Sequence, residues 1–258
     1  MKISTSLSLY DAPVTFSIPV AYGLTGDTVI GELITPADSY FIMQSLQSAS
    51  TGQFEVQRFN DSLTGLDLIS DTVRGSTLFG NGQRPNVLKQ PYVFGPNTLI
   101  RFTIRNRHTA ANTVTVVMSG FRHYDLANPP VVGMIDTATG QKLNRRMQFF
   151  AYSFNTLLLA GNNRDFTIQI LQDSRFIVHK LSGYSDGLFS LKAGDNTSKQ
   201  EWSSTLIPSS AILGNAEYNR RVIQPKLLNA NTLVNLSLRE DSLANNNVNV
   251  VLEGCKVF

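Results

Sequence analysis

The feature that most constrains this chain is that its second half repeats its first. Sliding the sequence against itself places Asp38-Ser39-Tyr40-Phe41-Ile42 on Asp173-Ser174-Arg175-Phe176-Ile177, and Gly52-Gln53-Phe54 on Gly187-Leu188-Phe189, at an offset of 135 (173 minus 38). One residue is then lost. Gly80-Asn81 falls on Gly214-Asn215, Gln90-Pro91 on Gln224-Pro225 and Asn97-Thr98-Leu99 on Asn231-Thr232-Leu233, at an offset of 134 (214 minus 80). The register then holds without a gap as Val114–Arg122 runs onto Val248–Lys256. A match this long means two copies of one structural unit, and missing it would misread the whole fold.

The repeated segments identify the unit as a β domain. Ile100, Phe102 and Ile104 alternate with Arg101, Thr103 and Arg105, and Val234, Leu236 and Leu238 alternate with Asn235, Ser237 and Arg239. This is the period of a half-buried strand. Val114, Val116, Met118 and their partners Val248, Val250, Leu252 continue it in a closing strand. Each copy is therefore expected to end in an antiparallel pair, joined through the polar, Asn-rich stretches 106–112 and 240–247 as exposed hairpin loops. No window of a dozen residues carries a capped helical period, so helix is limited to short turns around Thr64–Val73 and Ser203–Leu213. Gly120 and Gly254 follow the alternating run at equivalent places, which points to a bulge or a close backbone approach there.

The fold class expected is all-β, with two tandem antiparallel β-sandwich domains of jelly-roll-like topology arising from internal duplication. The division is an N-terminal arm over 1–9, copy 1 over 10–124, a linker over 125–145 and copy 2 over 146–258. Asn128-Pro129-Pro130 breaks any strand in that linker, and Ala138-Thr139-Gly140 supplies a turn. The start, Met1-Lys2-Ile3-Ser4-Thr5-Ser6-Leu7-Ser8-Leu9-Tyr10, alternates polar and apolar residues and reads as an arm or first strand, with no signal-peptide core. Apolar runs such as Leu157–Ala160 and Val116–Met118 are far too short to span a bilayer, so no membrane partner is expected.

Composition narrows the function. Hydrophobic residues make up 42% and charged residues 16% of the chain, too apolar for disorder and lower in charge than most soluble domains. The net charge of +3 arises from 22 basic and 19 acidic residues, a balance that argues against sequence-specific nucleic-acid binding. Cys255 is the single cysteine, which excludes an intrachain disulfide and a thiolate metal cluster.

Groups able to do chemistry are scattered. His108, His123 and His179 have no metal-pair spacing, and none recurs in the other copy. Asp61, Asp67 and Asp71 lack the Gly and closing Glu of an EF-hand loop and read as solvated. Gly80-Asn81-Gly82-Gln83-Arg84-Pro85 begins like a phosphate loop but has Pro where a third Gly belongs. Ser6, Ser45 and Ser119 lack a nucleophile elbow, and Cys255 reads as a small buried hydrophobe. Trp202, following Glu201, reads as core rather than as a sugar platform. Arg101, Arg105, Arg107, Arg145, Arg146, Arg220 and Arg221 read as a solvated or interfacial set, pairing with an internal carboxylate or an acidic neighbouring subunit. No catalytic, cofactor-binding or metal-binding residue is assigned, no cofactor is expected, and the chain is read as a non-enzyme.

The repeated ending, in which a Pro leads through Asn-Thr-Leu into a strand, an Asn-rich loop and a last strand closing on Gly254-Cys255-Lys256-Val257-Phe258, resembles bacteriophage virion structural proteins. The duplicated sandwich is similar to decoration and cement proteins, and to the compact double jelly-roll capsid proteins of tailless phages, whose two barrels per chain let a trimer imitate a hexamer. The resemblance implies a structural component of a virion, made in the host cytoplasm. It implies a homo-oligomer, most simply a trimer, in contact with other virion proteins. The competing expectation is a carbohydrate- or host-recognition module, resting on Trp202, Tyr184 and Tyr218.

Overall fold

The structure, a computed structural model, describes residues 7–18, 28–130, 133–135, 142–197, 199–215 and 221–258. Residues 1–6 of the expected arm, 131–132 and 136–141 of the expected linker, and Tyr218 and Arg220 lie outside the described residues.

The first half contributes β1 (Leu7–Ile18), β2 (Thr28–Ile34), β3 (Tyr40–Ser50), β4 (Phe54–Asp61), β5 (Leu66–Asp67), β6 (Val73–Arg74), the single-turn helix α1 (Gly75–Leu78), β7 (Asn86–Phe94), β8 (Leu99–Asn106) and β9 (Asn112–His123). These form one sheet in the order β1-β9-β3-β7 and a second in the order β2-β8-β4-β5, with β6 also on β4. Taking β5 and β6 as one interrupted strand, the order of the eight strands is 1-8-3-6 against 2-7-4-5. Two interlocked Greek keys wound in this way are a jelly roll.

The second half repeats the pattern. After β10 (Gly133–Ile135) come β11 (Lys142–Leu158), β12 (Asn163–Gln169), β13 (Arg175–Ser185), β14 (Phe189–Asp195), β15 (Gln200–Glu201) and β16 (Ile207–Pro208). They are followed by α2 (Ser209–Ile212), β17 (Arg221–Leu228), β18 (Leu233–Glu240) and β19 (Asn246–Val257). The sheets run β10-β11-β19-β13-β17 and β12-β18-β14-β15, with β16 also on β14. The chain is therefore all-β, with two antiparallel sandwiches produced by duplication.

Each sandwich closes on its own apolar core. Ile100, Phe102 and Ile104 of β8 are fully buried in the first, and Val234, Leu236 and Leu238 of β18 are buried in the second, as their alternation requires. Asn97 (φ 53°) and Asn231 (φ 60°) both take the left-handed backbone that asparagine tolerates, just ahead of these strands.

Two expectations are corrected. The last two strands of each copy do not pair with one another: β8 lies between β2 and β4, whereas β9 lies between β1 and β3 in the facing sheet. Alternation reports which face of a strand is buried but not which strand lies beside it. The connecting segments thus cross from sheet to sheet; their tips at 109–111 and 243–245 are exposed as expected, but their ends are buried, with Asn106, Asn112 and Asn246 all within 1% of full burial. Asn112 Oδ1 accepts from Gly52 N–H at 3.0 Å, and Asn246 Oδ1 accepts from Gly187 N–H at 2.9 Å. The asparagines knit the crossing to the preceding strand connection. The other correction is that residues 64–73 form a turn and short strands, and the helical turn comes later at Gly75–Leu78. Its N-cap, Arg74, is extended and makes no side-chain cap bond, so no capping signal marks it.

The bulge and the close approach coincide in both copies. Register skips Gln44 between Met43 and Ser45 opposite Gly120, and skips His179 between Val178 and Lys180 opposite Gly254.

Candidate assembly interface

The residues that distinguish the two sandwiches gather at the seam between them. On β11, Phe150 and Tyr152 point into the second core while Phe149 and Ala151 pack into the first. Val251 of β19 likewise joins the first core, between Val250 and Leu252 of the second. Both faces of this sheet are covered, which is why the runs Phe149-Phe150-Ala151-Tyr152 and Val250-Val251-Leu252 are continuously apolar instead of alternating. The opposing surface is the flank of the first sandwich. Ala151 donates its N–H to Leu68 O and accepts from Ser70 N–H, both at 3.0 Å. Ser153 N–H donates to Ser70 Oγ at 3.0 Å, and its hydroxyl donates to Asp71 O at 2.7 Å.

Deeper in the seam, Lys180 Nζ stands 2.7 Å from Glu253 Oε1, with both side chains 4% exposed. Asn86 of the first sandwich completes the pair. Its Nδ2 donates to Glu253 Oε2 at 2.9 Å and to Leu78 O at 2.8 Å, while Lys180 Nζ donates to Asn86 Oδ1 and to Val87 O. Nearby, Thr77 Oγ1 donates to Asn249 Oδ1 at 3.0 Å, and Asn249 Nδ2 donates to Asn155 Oδ1 at 2.9 Å. A buried charge pair with its remaining valences filled from the other body fixes how two surfaces meet more than how strongly.

The duplication supplies an internal comparison. Lys180 and Glu253 correspond to Ser45 and Ser119, which share the Gln47 amide (3.0 Å to Ser119 Oγ and 3.5 Å to Ser45 Oγ). Fully buried Val251 corresponds to half-buried Val117, and buried Asn249 to half-buried Thr115. On the flank, buried Leu68, Ile69 and Thr77 correspond to half-buried Trp202 and Ser203 and exposed Ala211. Each sandwich carries both halves of the seam, but among the described residues only one face and one flank are joined.

The remaining candidate residues are dispersed by the fold. His108 packs against Gly52, and His123 Nε2 lies 3.0 Å from Asn128 O. His179 is the bulged residue of β13, 3.5 Å from Cys255 Sγ. Burial, followed by the charges of Lys89 and Lys180, lowers the His179 imidazole to about 4. Burial pushes the fully enclosed Cys255 thiol up to about 12. Asp61 is buried, accepting from Tyr92 OH at 2.8 Å and from Leu63 N–H at 2.9 Å, so it is not the solvated loop residue expected. Asp67 pairs with Arg58 at 2.7 Å, and Asp71 caps Thr72. The Gly80 loop is closed on itself and on β3: Asn81 Oδ1 takes the N–H groups of Gln83 and Arg84, and Gly80 bonds to Leu46 and Ser48. The amides of Gly80, Asn81, Gln83 and Arg84 are therefore used internally. Among the described residues no cluster of three or more His, Cys, Asp or Glu is placed to hold a metal ion, and no helix is long and apolar enough to cross a membrane.

The arginines take several roles. Arg101 pairs with Glu32 at 2.7 Å on the surface. Arg74 and Arg107 share Glu55 at 3.4 and 3.5 Å, in a cleft that Arg105 also lines, beside Asn155 and Asn249 of the second sandwich. Arg74 also stacks over Tyr184, whose hydroxyl donates to Asp186 and accepts from Gln53. Tyr184 is thus bound into the seam. Arg145, Arg146 and Arg221 lie on strands whose side chains at those positions are outside the described residues. Sequence matching also aligned Asp38 with Asp173 and Arg122 with Lys256, and the fold joins each set: Arg122 to Asp38, and Lys256 to Asp173 at 2.8 Å. Burial alone would raise the Asp173 carboxyl, but Lys256 and the Ser174 hydroxyl outweigh it and hold it below the usual range.

No model of a known protein family matches the chain, and no curated protein is similar to it in sequence. Among solved structures, the chain is similar to the major capsid protein P2 from Bacteriophage PM2, with a TM-score of 0.48 and 11% identity over 96% of this chain and 98% of that one. It is similar to the STIV MCP, with a TM-score of 0.45 and 9% identity over 96% of both chains. A third likeness is to a chain in the atomic structure of Sulfolobus Turreted Icosahedral Virus, with a TM-score of 0.42 and 10% identity over 95% of this chain and 90% of that one.

Proposed function

We propose that this chain is a non-enzymatic structural subunit of a virion capsid, a compact double jelly roll that assembles as a closed ring of three chains. The observation that carries the reading is the half-used seam. The outer face of β11-β19-β13 is joined to the flank of the first sandwich, while among the described residues the equivalent face of β1-β9-β3 and the equivalent flank around Trp202 and α2 are not joined. A contact that uses different surfaces on its two sides is heterologous, and repeating it between chains gives a ring when the rotation closes. Three chains would present six similar sandwiches, with Val117 and Thr115 standing to a neighbour as Val251 and Asn249 stand to the first sandwich. The units proposed are those read from the repeat, 10–124 and 146–258 with the arm and the 125–145 linker, β1 and β11 reaching back to Leu7 and Lys142.

The test is the mass of the purified chain by multi-angle light scattering, alone and with Val117→Lys. A trimer that Val117→Lys converts to a folded monomer is the expected result. A chain that is monomeric at every concentration and absent from purified particles would remove the reading.

A further inference from the structure

The duplication lets each core serve as the template for the other, and the two are filled differently. Leu68 N–H donates to Phe59 O at 2.7 Å, and Trp202 N–H donates to Ala193 O at 2.8 Å. Phe59 lies opposite Phe102 as Ala193 lies opposite Leu236. Phe79 and Leu213 each close their single-turn helix, donating to Gly75 O and Ser209 O. Backbone geometry therefore equates Phe59, Ile69, Phe79 and Phe102 of the first sandwich with Ala193, Ser203, Leu213 and Leu236 of the second.

In the first sandwich these positions are solid. Phe59 and Phe102 stack with ring centroids 4.3 Å apart, Phe79 lies 6.4 Å from Phe102, and all are 0–2% exposed. In the second, these four positions shrink, while Val56, Leu68 and Val73 give way to the larger Leu191, Trp202 and Ile207, the Trp202 ring having Lys226 Nζ at 5.2 Å from its centroid. The enlargements do not offset the loss of a phenyl ring at Ala193 and of most of a side chain at Ser203, and the space left is an apolar cavity of about 100 Å³ walled by Leu181, Leu191, Leu236 and Leu252 and bordered by Trp202 and Ser203. Trp202 and Ser203 are only half-buried, so the cavity is reached from the flank. Trp202 Nε1 and Ser203 Oγ are buried atoms with no hydrogen-bond partner among the described residues. A buried indole N–H is donor-only and costs free energy until it meets an acceptor.

We propose that the second sandwich is a binding site for a small molecule made of one aromatic ring carrying one hydrogen-bond acceptor. The ring takes the space that Phe59 fills in the first sandwich, and the acceptor meets Trp202 Nε1, with Ser203 Oγ beside it. A cavity walled by aliphatic side chains can take up a ring-sized ligand. The ring proposed above would cover the Trp202 flank, so the site is that of the free chain and is tested on the Val117→Lys monomer, where failure of the capsid reading leaves it untouched.

Trp202 is the only tryptophan, so intrinsic fluorescence reports on the site directly. The Val117→Lys monomer is titrated with acetophenone as ring plus acceptor, toluene as ring alone and acetone as acceptor alone. Acetophenone is expected to change Trp202 emission saturably and, at about tenfold excess over its Kd, to raise Tm by about 3 °C or more. Toluene should bind several-fold more weakly, and acetone should give no saturable change. Ala193→Phe, which installs the first sandwich's residue, should raise the Tm of the free protein and abolish the acetophenone response. Leu236→Phe provides the same test if Ala193→Phe does not fold. No saturable response to acetophenone in the Val117→Lys monomer, or a full response once that monomer is also filled and folded, would overturn the site, and equal binding of toluene would overturn the role of the acceptor.

Discussion

Gly120 lies so close to Ile42 that a Cβ on the glycine would meet the Ile42 carbonyl oxygen at 1.9 Å, and Gly254 repeats the approach to Ile177 O at the same distance. The obstacle is backbone in the neighbouring strand, two residues before the bulge, so it cannot rotate away. Gly120→Val and Gly254→Val should each destabilise the protein by at least about 3 kcal/mol. Thermal melting of both variants checks this, and a wild-type midpoint for either would show that the strand yields.

Removing half of the buried ion pair should hurt more than removing all of it. Glu253→Ser alone leaves Lys180 charged in the seam and should cost about 3–5 kcal/mol. The double variant Lys180→Ser/Glu253→Ser, which copies Ser45 and Ser119 of the first sandwich, should recover a large part of that loss. Urea unfolding of the two singles and the double gives the coupling energy directly.

The buried imidazole makes stability pH-dependent in a defined window. His179 is held at about 4 in the fold against an ordinary 6.5, so the unfolded chain takes up the proton first. Stability should be insensitive to this group above pH 6.5, fall as pH drops from 6.5 to 4, and level off below. His179→Gln, placing there the residue that Gln44 supplies in the other copy, should remove this component from the pH profile of the urea midpoint.

A second acid-sensitive point is the crossing after β18. Burial would raise the Glu240 carboxyl, but the N–H groups of Gly161, Ser242 and Leu243 and the Ser242 hydroxyl outweigh it and bring it down to about 2 from an ordinary 4.5. Its contribution is present above pH 4.5 and is lost as pH falls from 4.5 toward 2. Amide exchange at Gly161 and Leu243 should accelerate over that interval, after correction for intrinsic rates, and Glu240→Gln should abolish the change.

The strand faces and the duplication were legible because they are written locally. Ile100, Phe102 and Ile104 announce their burial by period alone, and their counterparts confirm the register. Partner choice was not, since nothing within β8 and β9 says that they belong to opposite sheets. The seam was hidden for a similar reason: Lys180, Glu253 and Asn86 are far apart in sequence and become a network only when one sandwich is set against the other. A trace of it was nonetheless present, in runs such as Phe149-Phe150-Ala151-Tyr152 that break the alternation because each face meets a different core. The unequal filling around Ala193 was equally silent, because alanine in a strand is ordinary until the phenylalanine at the matching place is seen.

Cys255 offers a use beyond packing. It sits on β19 between β11 and β13, fully enclosed, with a thiol that burial makes a poor nucleophile. A thiol reagent in excess can reach it only when those strands part. Its labelling rate is therefore a clock for how often the middle of that sheet opens, readable on a single atom in the free chain and in any assembly that the chain forms.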